Sequence, residues 1–244
     1  MTQSEFDRVL AAGHPGARSL FLTTAVAAGL WVMLIDARRW PIPARQRVAL
    51  FVVAFATGLA GALLPALVAG GLVGSAVQTG RVPMSILGAL VFSFLGVAAY
   101  KRAIGLRWDT SDAFARGTCL EMAIGRLGCH AYHCCLGVKA SDPAFGMDFG
   151  DGCARVPIQL VEAALMFALF GIFTILEARD QWPHRRLFVF FAAYGALRFV
   201  LEFWREPMGG AWLGLGAYQW FALALVALGA FQIIKRSRAA TAPA

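Results

Sequence analysis

Apolar residues run in stretches of about 20, the length a helix needs to cross a bilayer, with short polar segments between them. The pattern predicts helices at Ser19–Ile35, Val48–Val73, Pro83–Tyr100, Ser111–Cys129, Pro157–Leu176, Leu187–Trp204 and Leu215–Ile234. Pro65 and the glycines at 58, 61, 70, 71 and 74 predict a kink or break toward the end of the second. Two segments carry charge where lipid would not accept it. The fourth holds Asp112, Arg116, Glu121 and Arg126, so it must lie among other helices or line a cavity. The sixth places Tyr194, Arg198 and Glu202 at four-residue intervals on one helix face, where Arg198 and Glu202 can pair. Arg198 lies too deep in its segment to reach the interface, and a central arginine costs about 2.5 kcal/mol or more.

Composition agrees with the pattern. Of 244 residues, 59% are hydrophobic and 15% charged, against about 25% charged in soluble domains. The expected fold is therefore all-α, a multi-pass membrane protein of about seven helices. Residues 1–18 form a short polar segment, 19–234 one transmembrane domain, and 235–244 a cytoplasmic tail. The first eighteen residues lack the basic start of a secretory signal, so the first apolar run is expected to be a true span. The net charge of +8 does not indicate nucleic acid, because the basic residues fall in short runs between apolar segments without interleaved aromatics. Those runs are concentrated on alternate loops: Arg38, Arg39, Arg45 and Arg47; Lys101, Arg102 and Arg107; Arg179, Arg185 and Arg186; Lys235, Arg236 and Arg238. The positive-inside rule then predicts a cytoplasmic C-terminus and, with seven helices, an N-terminus outside.

The densest chemistry lies in Gly125-Arg126-Leu127-Gly128-Cys129-His130-Ala131-Tyr132-His133-Cys134-Cys135-Leu136-Gly137. Continued as helix to Cys135, this stretch would put Arg126 beside Cys129 and His130, and would pair Cys129 with His133 and His130 with Cys134. Arg126 suits a phosphate at an apolar boundary, since a guanidinium stays charged and bonds in a bidentate fork. It could equally be an arginine reaching to the outer interface. Gly125, Gly128 and Gly137 would admit a ligand close to the backbone. Thiolate and imidazole also suit zinc or copper, although there is no Cys-x-x-Cys pair. A disulfide from the cluster to Cys153 is a further option, and Cys119 reads as packing. Gln159 and Glu162, just after Pro157, fit helix capping and interhelical hydrogen bonding as well as catalysis.

These residues resemble, in order, the motifs of the prolipoprotein diacylglyceryl transferases. The likeness spans roughly Ser85 to Phe231. It comprises Asp112 with Gly125-Arg126-Leu127-Gly128 and Gly137, then Phe145-Gly146-Met147, then Arg155-Val156-Pro157-Ile158-Gln159-Leu160-Val161-Glu162. The stretch from Tyr194 through Arg198 and Glu202 to Pro207, and Tyr218-Gln219-Trp220, complete it. The resemblance implies transfer of a diacylglyceryl group from phosphatidylglycerol to the lipobox cysteine thiol of a prolipoprotein, in the bacterial cytoplasmic membrane and without a cofactor or metal. By that pattern Arg126 and Arg198 hold the phosphate, Tyr194 and Glu202 shape the site, and Gly128, Gly137, Gln159 and Glu162 line it. Leu87 stands where the family carries histidine, and Cys129 where it carries asparagine. His130 or His133 would then accept the thiol proton. Two other readings fit the same residues: a non-catalytic binder of anionic lipid or lipoprotein, and a membrane thiol-redox or metal protein.

Overall fold

Seven long helices are present where the apolar pattern puts them, in a computed structural model that describes residues 9, 12–68, 85–205 and 211–241. They are α1 (Pro15–Ala37), α2 (Ala44–Val68), α3 (Ile86–Ala103), α4 (Asp112–Ala131), α5 (Ile158–Ala178), α6 (Arg186–Leu201) and α7 (Ala217–Thr241). Six of them are long and apolar enough to cross a membrane; α4, with its charges, is not among these. The protein is a polytopic membrane protein. Helix α2 continues through Pro65 to Val68, and the last part of the second predicted span lies outside the described residues, as do Pro83 and its neighbours. Helix α7 extends past the predicted end of the last span. Lys235, Arg236 and Arg238 therefore sit on helix rather than in a loose tail, where basic side chains complement the C-terminal dipole.

Contacts divide the chain into two compact units, Met1–Arg38 with Thr110–Ala244, and Arg39–Asp109. In the smaller unit α2 and α3 pack through glycine. A Cβ on Gly88 would meet the Gly61 carbonyl oxygen at 2.2 Å, so only hydrogen fits there. Leu87 beside it is fully buried.

In the larger unit α4 is enclosed by α1, α5 and α6, which is how its charged face avoids lipid. Gly117 of α4 meets α1 so closely that a Cβ would lie 2.6 Å from the Gly29 carbonyl oxygen. Ionic contacts fix the rest. Arg116 forms an ion pair with Asp36 of α1, its Nε donating to Asp36 Oδ2 at 3.2 Å. Asp112, at the start of α4, accepts the backbone N–H of Arg186 at 2.9 Å, and the Arg186 side chain pairs with Glu177 at the end of α5. Start of α4, end of α5 and start of α6 therefore meet, and α5 runs antiparallel to the other two.

The segment between α4 and α5 is a small knot of short elements. A 3-10 turn (Pro143–Phe145) precedes β1 (Met147–Asp148), which pairs antiparallel with β2 (Ala154–Arg155). Residues 137–140 are sewn between this hairpin and the end of α6. Val138 N–H donates to the Trp204 carbonyl at 3.0 Å and Ala140 N–H to that of Ala154 at 2.9 Å, and Gly137 bridges to Arg205. The Asp148 carboxylate accepts the Gly150 and Gly152 N–H groups at 2.8 and 3.0 Å, and these bonds, the Gly150 one foremost, hold it below the ordinary aspartate range. A second hairpin, β3 (Ala211–Trp212) with β4 (Leu215–Gly216), leads into α7.

Substituting Gly117→Val should force α1 and α4 apart and cost about 1–3 kcal/mol of overpacking, seen as a lower thermal midpoint in detergent. Because the Asp148 carboxylate is depressed on folding, its contribution is complete above the unfolded aspartate value and is lost as pH falls through the folded one. Protection of the Gly150 and Gly152 amides, taken relative to their intrinsic exchange rates, should be full near neutrality and be lost only below the unfolded aspartate range; Asp148→Ala should remove it at every pH.

Candidate functional site

Opposite the Arg186 contact, at the other end of the same three helices, lies a second ionic cluster. Glu162, one turn into α5, faces both α4 and α6. Its Oε1 is 2.9 Å from Arg126 Nη2 and accepts the Tyr194 hydroxyl at 3.0 Å, while its Oε2 is 3.8 Å from Arg198 Nη1. Arg198 Nη2 pairs with Glu202 Oε2 at 2.6 Å, and Arg205 Nη1 lies 3.5 Å from that same oxygen. Glu162 and Arg198 are each only 2% exposed. Tyr194 is fully buried and stacks on Phe190, their ring centroids 5.8 Å apart.

Three guanidiniums thus share two carboxylates, and the cluster carries a net positive charge. A buried charge is tolerable only when paired and hydrogen-bonded. Arg198 is incompletely provided for: its Nε and Nη1 are buried and make no hydrogen bond. Each lies on a different edge of the planar guanidinium, beside the Nη2 that already holds Glu202, so each can give a charge-assisted hydrogen bond to an added anion.

The cysteine-rich segment departs from the continued helix that its spacing suggested. Helix α4 stops at Ala131, and His133 takes a left-handed φ of 56°. His133 N–H bonds back to the His130 carbonyl and Cys134 N–H to that of Cys129, each at 3.0 Å. This is a Schellman stop with histidine where glycine is usual. Cys135 is also left-handed, at φ 58°, and non-glycine residues held this way cost roughly 1–3 kcal/mol each. The reversal returns two thiols to the helix end, so that the Sγ atoms of Cys129, Cys134 and Cys135 all lie within 4.8 Å of one another. Arg126 Nη1 is 4.0 Å from Cys129 Sγ, and Gln159 Nε2 donates to the Cys134 carbonyl at 2.7 Å, joining the turn to the ionic cluster. Hydrogen bonds from the Cys129 and Cys134 thiols hold the Cys135 thiol well below the ordinary range; burial opposes them, while the Arg126 and Arg198 charges add to them.

Of the residues singled out in the sequence, Arg126, Glu162, Tyr194, Arg198 and Glu202 come together, with Gln159 alongside. The histidines do not bond to that cluster. Both rings stand edge-on to Phe149, and His133 Nδ1 is 3.0 Å from the Phe149 carbonyl oxygen. The expected i, i+4 pairs of Cys129 with His133 and of His130 with Cys134 are not formed, because the helix ends before them. Nor does Cys153 pair with the cluster: all five cysteines are free. Gly128 and Gly137 serve packing, since a Cβ would lie 2.8 Å from Phe21 Cβ at the first and 2.3 Å from the Val156 carbonyl oxygen at the second. Spacing alone missed Arg205, which joins Glu202 from beyond the helix. It also missed the buried pair of Arg155 Nε and Asp151 Oδ2 at 2.6 Å, which braces the Gly137 carbonyl through Arg155 Nη1 at 3.2 Å. The i, i+4 spacing of Asp151 and Arg155 was the available signal.

Residues 18–235 match the family model described as "Prolipoprotein diacylglyceryl transferase". The chain belongs to the prolipoprotein diacylglyceryl transferase family. Relatives named phosphatidylglycerol–prolipoprotein diacylglyceryl transferase include those of Leifsonia xyli subsp. xyli, 36% identical over 60% of this chain and 48% of its own length, and Bordetella parapertussis, 32% identical over 59% and 56%. That of Nitrosospira multiformis is 31% identical over 62% of this chain and 55% of its own length. The chain spans about half the length of the curated relatives it matches. Within the prolipoprotein diacylglyceryl transferase family, then, this chain carries a paired-arginine cluster with a three-thiol turn beside it.

Replacing Glu162 with Gln should leave Arg126 and Arg198 buried without their shared counter-charge and cost about 3–5 kcal/mol. Tyr194→Phe should cost about 1.5–3 kcal/mol, the value of a hydrogen bond to a charged group. Chemical unfolding in detergent should rank the two variants in that order.

Proposed function

We propose that the chain transfers a diacylglyceryl group from phosphatidylglycerol to the lipobox cysteine thiol of a prolipoprotein, in the cytoplasmic membrane of a bacterium. The observation that carries this reading is the pair of buried, unbonded donors on Arg198, beside Arg126 and in a cluster of net positive charge. A phosphodiester is the anion that family membership and this geometry both fit. Glu162 holds the two guanidiniums from one side, so they stay in place before the lipid arrives.

The thiol sulfur attacks the glyceryl carbon that bears the phosphate ester. The carbon–oxygen bond breaks, its electron pair stays on the phosphate oxygen, and glycerol phosphate leaves as the thioether forms. The Arg198 guanidinium, with that of Arg126, meets the charge that grows on the phosphate, and donors fixed in advance act most strongly there. Tyr194 holds Glu162, and Glu202 holds Arg198 with Arg205, so these are positioning residues. His130 and His133, beside the thiol turn, are the candidates to accept the thiol proton. A cytoplasmic C-terminus, from the loop charges, would place this end of α4 toward the outer face, where a prolipoprotein presents its cysteine.

Arg198→Ala should lower kcat/KM for transfer from phosphatidylglycerol to a lipobox peptide in proteoliposomes about 10²–10³-fold. Arg198→Lys should recover only part of the loss, because it keeps the charge without the fork. Folded wild type that binds phosphatidylglycerol yet transfers nothing would overturn the reading in favour of a lipid-binding protein.

A further inference from the structure

We propose that Cys129, Cys134 and Cys135 form a zinc site with an open fourth position that takes the thiol of the incoming cysteine. Three sulfur ligands already converge to within 4.8 Å of one another. Zinc binds thiolate at about 2.3 Å, which places sulfurs about 3.8 Å apart around a tetrahedral ion; side-chain rotation closes that gap. A disulfide would use two of the three and leave the third without a role. The three cysteine residues are half-buried, and three protein ligands with one exchangeable position is the arrangement of catalytic zinc.

Charge supports the same conclusion. Zinc cancels two of the three thiolate charges, so all three sulfurs can ionise while adding only one negative charge beside the arginines. Arg126 touches both groups, through Glu162 and Cys129. The turn is held on the protein side by Gln159 on the Cys134 carbonyl and by the Gly137–Arg205 bridge.

The chemical role rests on the transferase reading; the metal site does not. A thiol that coordinates zinc is deprotonated outright, which would supply the activation that the attacking sulfur needs. The thiol proton passes to His130 or His133, and from there to solvent, as the sulfur binds zinc. The coordinated sulfur forms the carbon–sulfur bond, the carbon–oxygen bond breaks, and its electrons go to the departing phosphate. The thioether product is a much weaker ligand than a thiolate and leaves, restoring the open position.

Elemental analysis of the reduced, full-length protein should find about one zinc per chain, and Cys129→Ser or Cys135→Ser should cut it at least tenfold. Cobalt(II) loaded into metal-free wild type should give intense thiolate-to-cobalt absorption, a readout that does not depend on a variant folding. X-ray absorption should count three sulfurs at about 2.3 Å and four after addition of a lipobox peptide, with no change for its serine analogue. Three results would overturn the proposal: folded wild type that neither retains nor takes up zinc; a mass two hydrogens lower with no metal; or a sulfur count that the peptide does not change. Full transfer by metal-free protein would overturn the activating role and leave the transferase reading intact. A fourth sulfur without transfer would uphold the site and sink the transferase reading instead.

Discussion

Everything at this site depends on Glu162 being a buried carboxylate between two arginines from different helices. A guanidinium in an apolar bundle stays only if something neutralises it, and Arg126 and Arg198 use the same group. One carboxylate therefore ties α4 to α6 through both guanidiniums and receives the Tyr194 hydroxyl as well. Glu202 completes the arrangement from below Arg198, with Arg205 behind it. The cluster is short of negative charge by one, and that deficit makes it a place for an anion rather than merely a tie between helices.

The helices themselves could be read from the chain because a bilayer imposes one length and one backbone solution on every span. The charged face of α6 was equally legible, since Tyr194, Arg198 and Glu202 recur at helical spacing in an apolar run. Glu162 was not legible as a hub. Near a helix start it fits capping, and only the packing of α5 between α4 and α6 gives it two arginines. The turn after Ala131 was hidden for a different reason. Left-handed residues announce themselves when they are glycine, and here they are His133 and Cys135. The glycines misdirected in turn: Gly128 and Gly137 invite thoughts of a ligand, yet neighbouring protein atoms fill the space where a Cβ would go.

That hidden turn changes how the segment is understood chemically. Along an extended or helical path, Cys129 and the Cys134–Cys135 pair would be separate features. Reversed onto the helix end, they become one group that touches the anion-binding cluster through Arg126. The strain at His133 and Cys135 is offset by the bonds that hold the turn, from Gln159, to the helix-end carbonyls, and from the strand-like pairing of residues 137–140 with both flanking elements.

The ionic ties at the two ends of α4, α5 and α6 also bear on how the chain enters its membrane. Alone, α4 would bring Arg116, Glu121 and Arg126 into lipid with no partner, and each such group adds about 2.5–3.5 kcal/mol to insertion at the centre of a span. Asp36 of α1 is made before α4, but Glu162, Glu177, Arg186 and Arg198 follow it. Insertion of α4 is therefore less costly once α5 and α6 are available to pair with it. Those segments then enter the bilayer with most of their charges paired to one another.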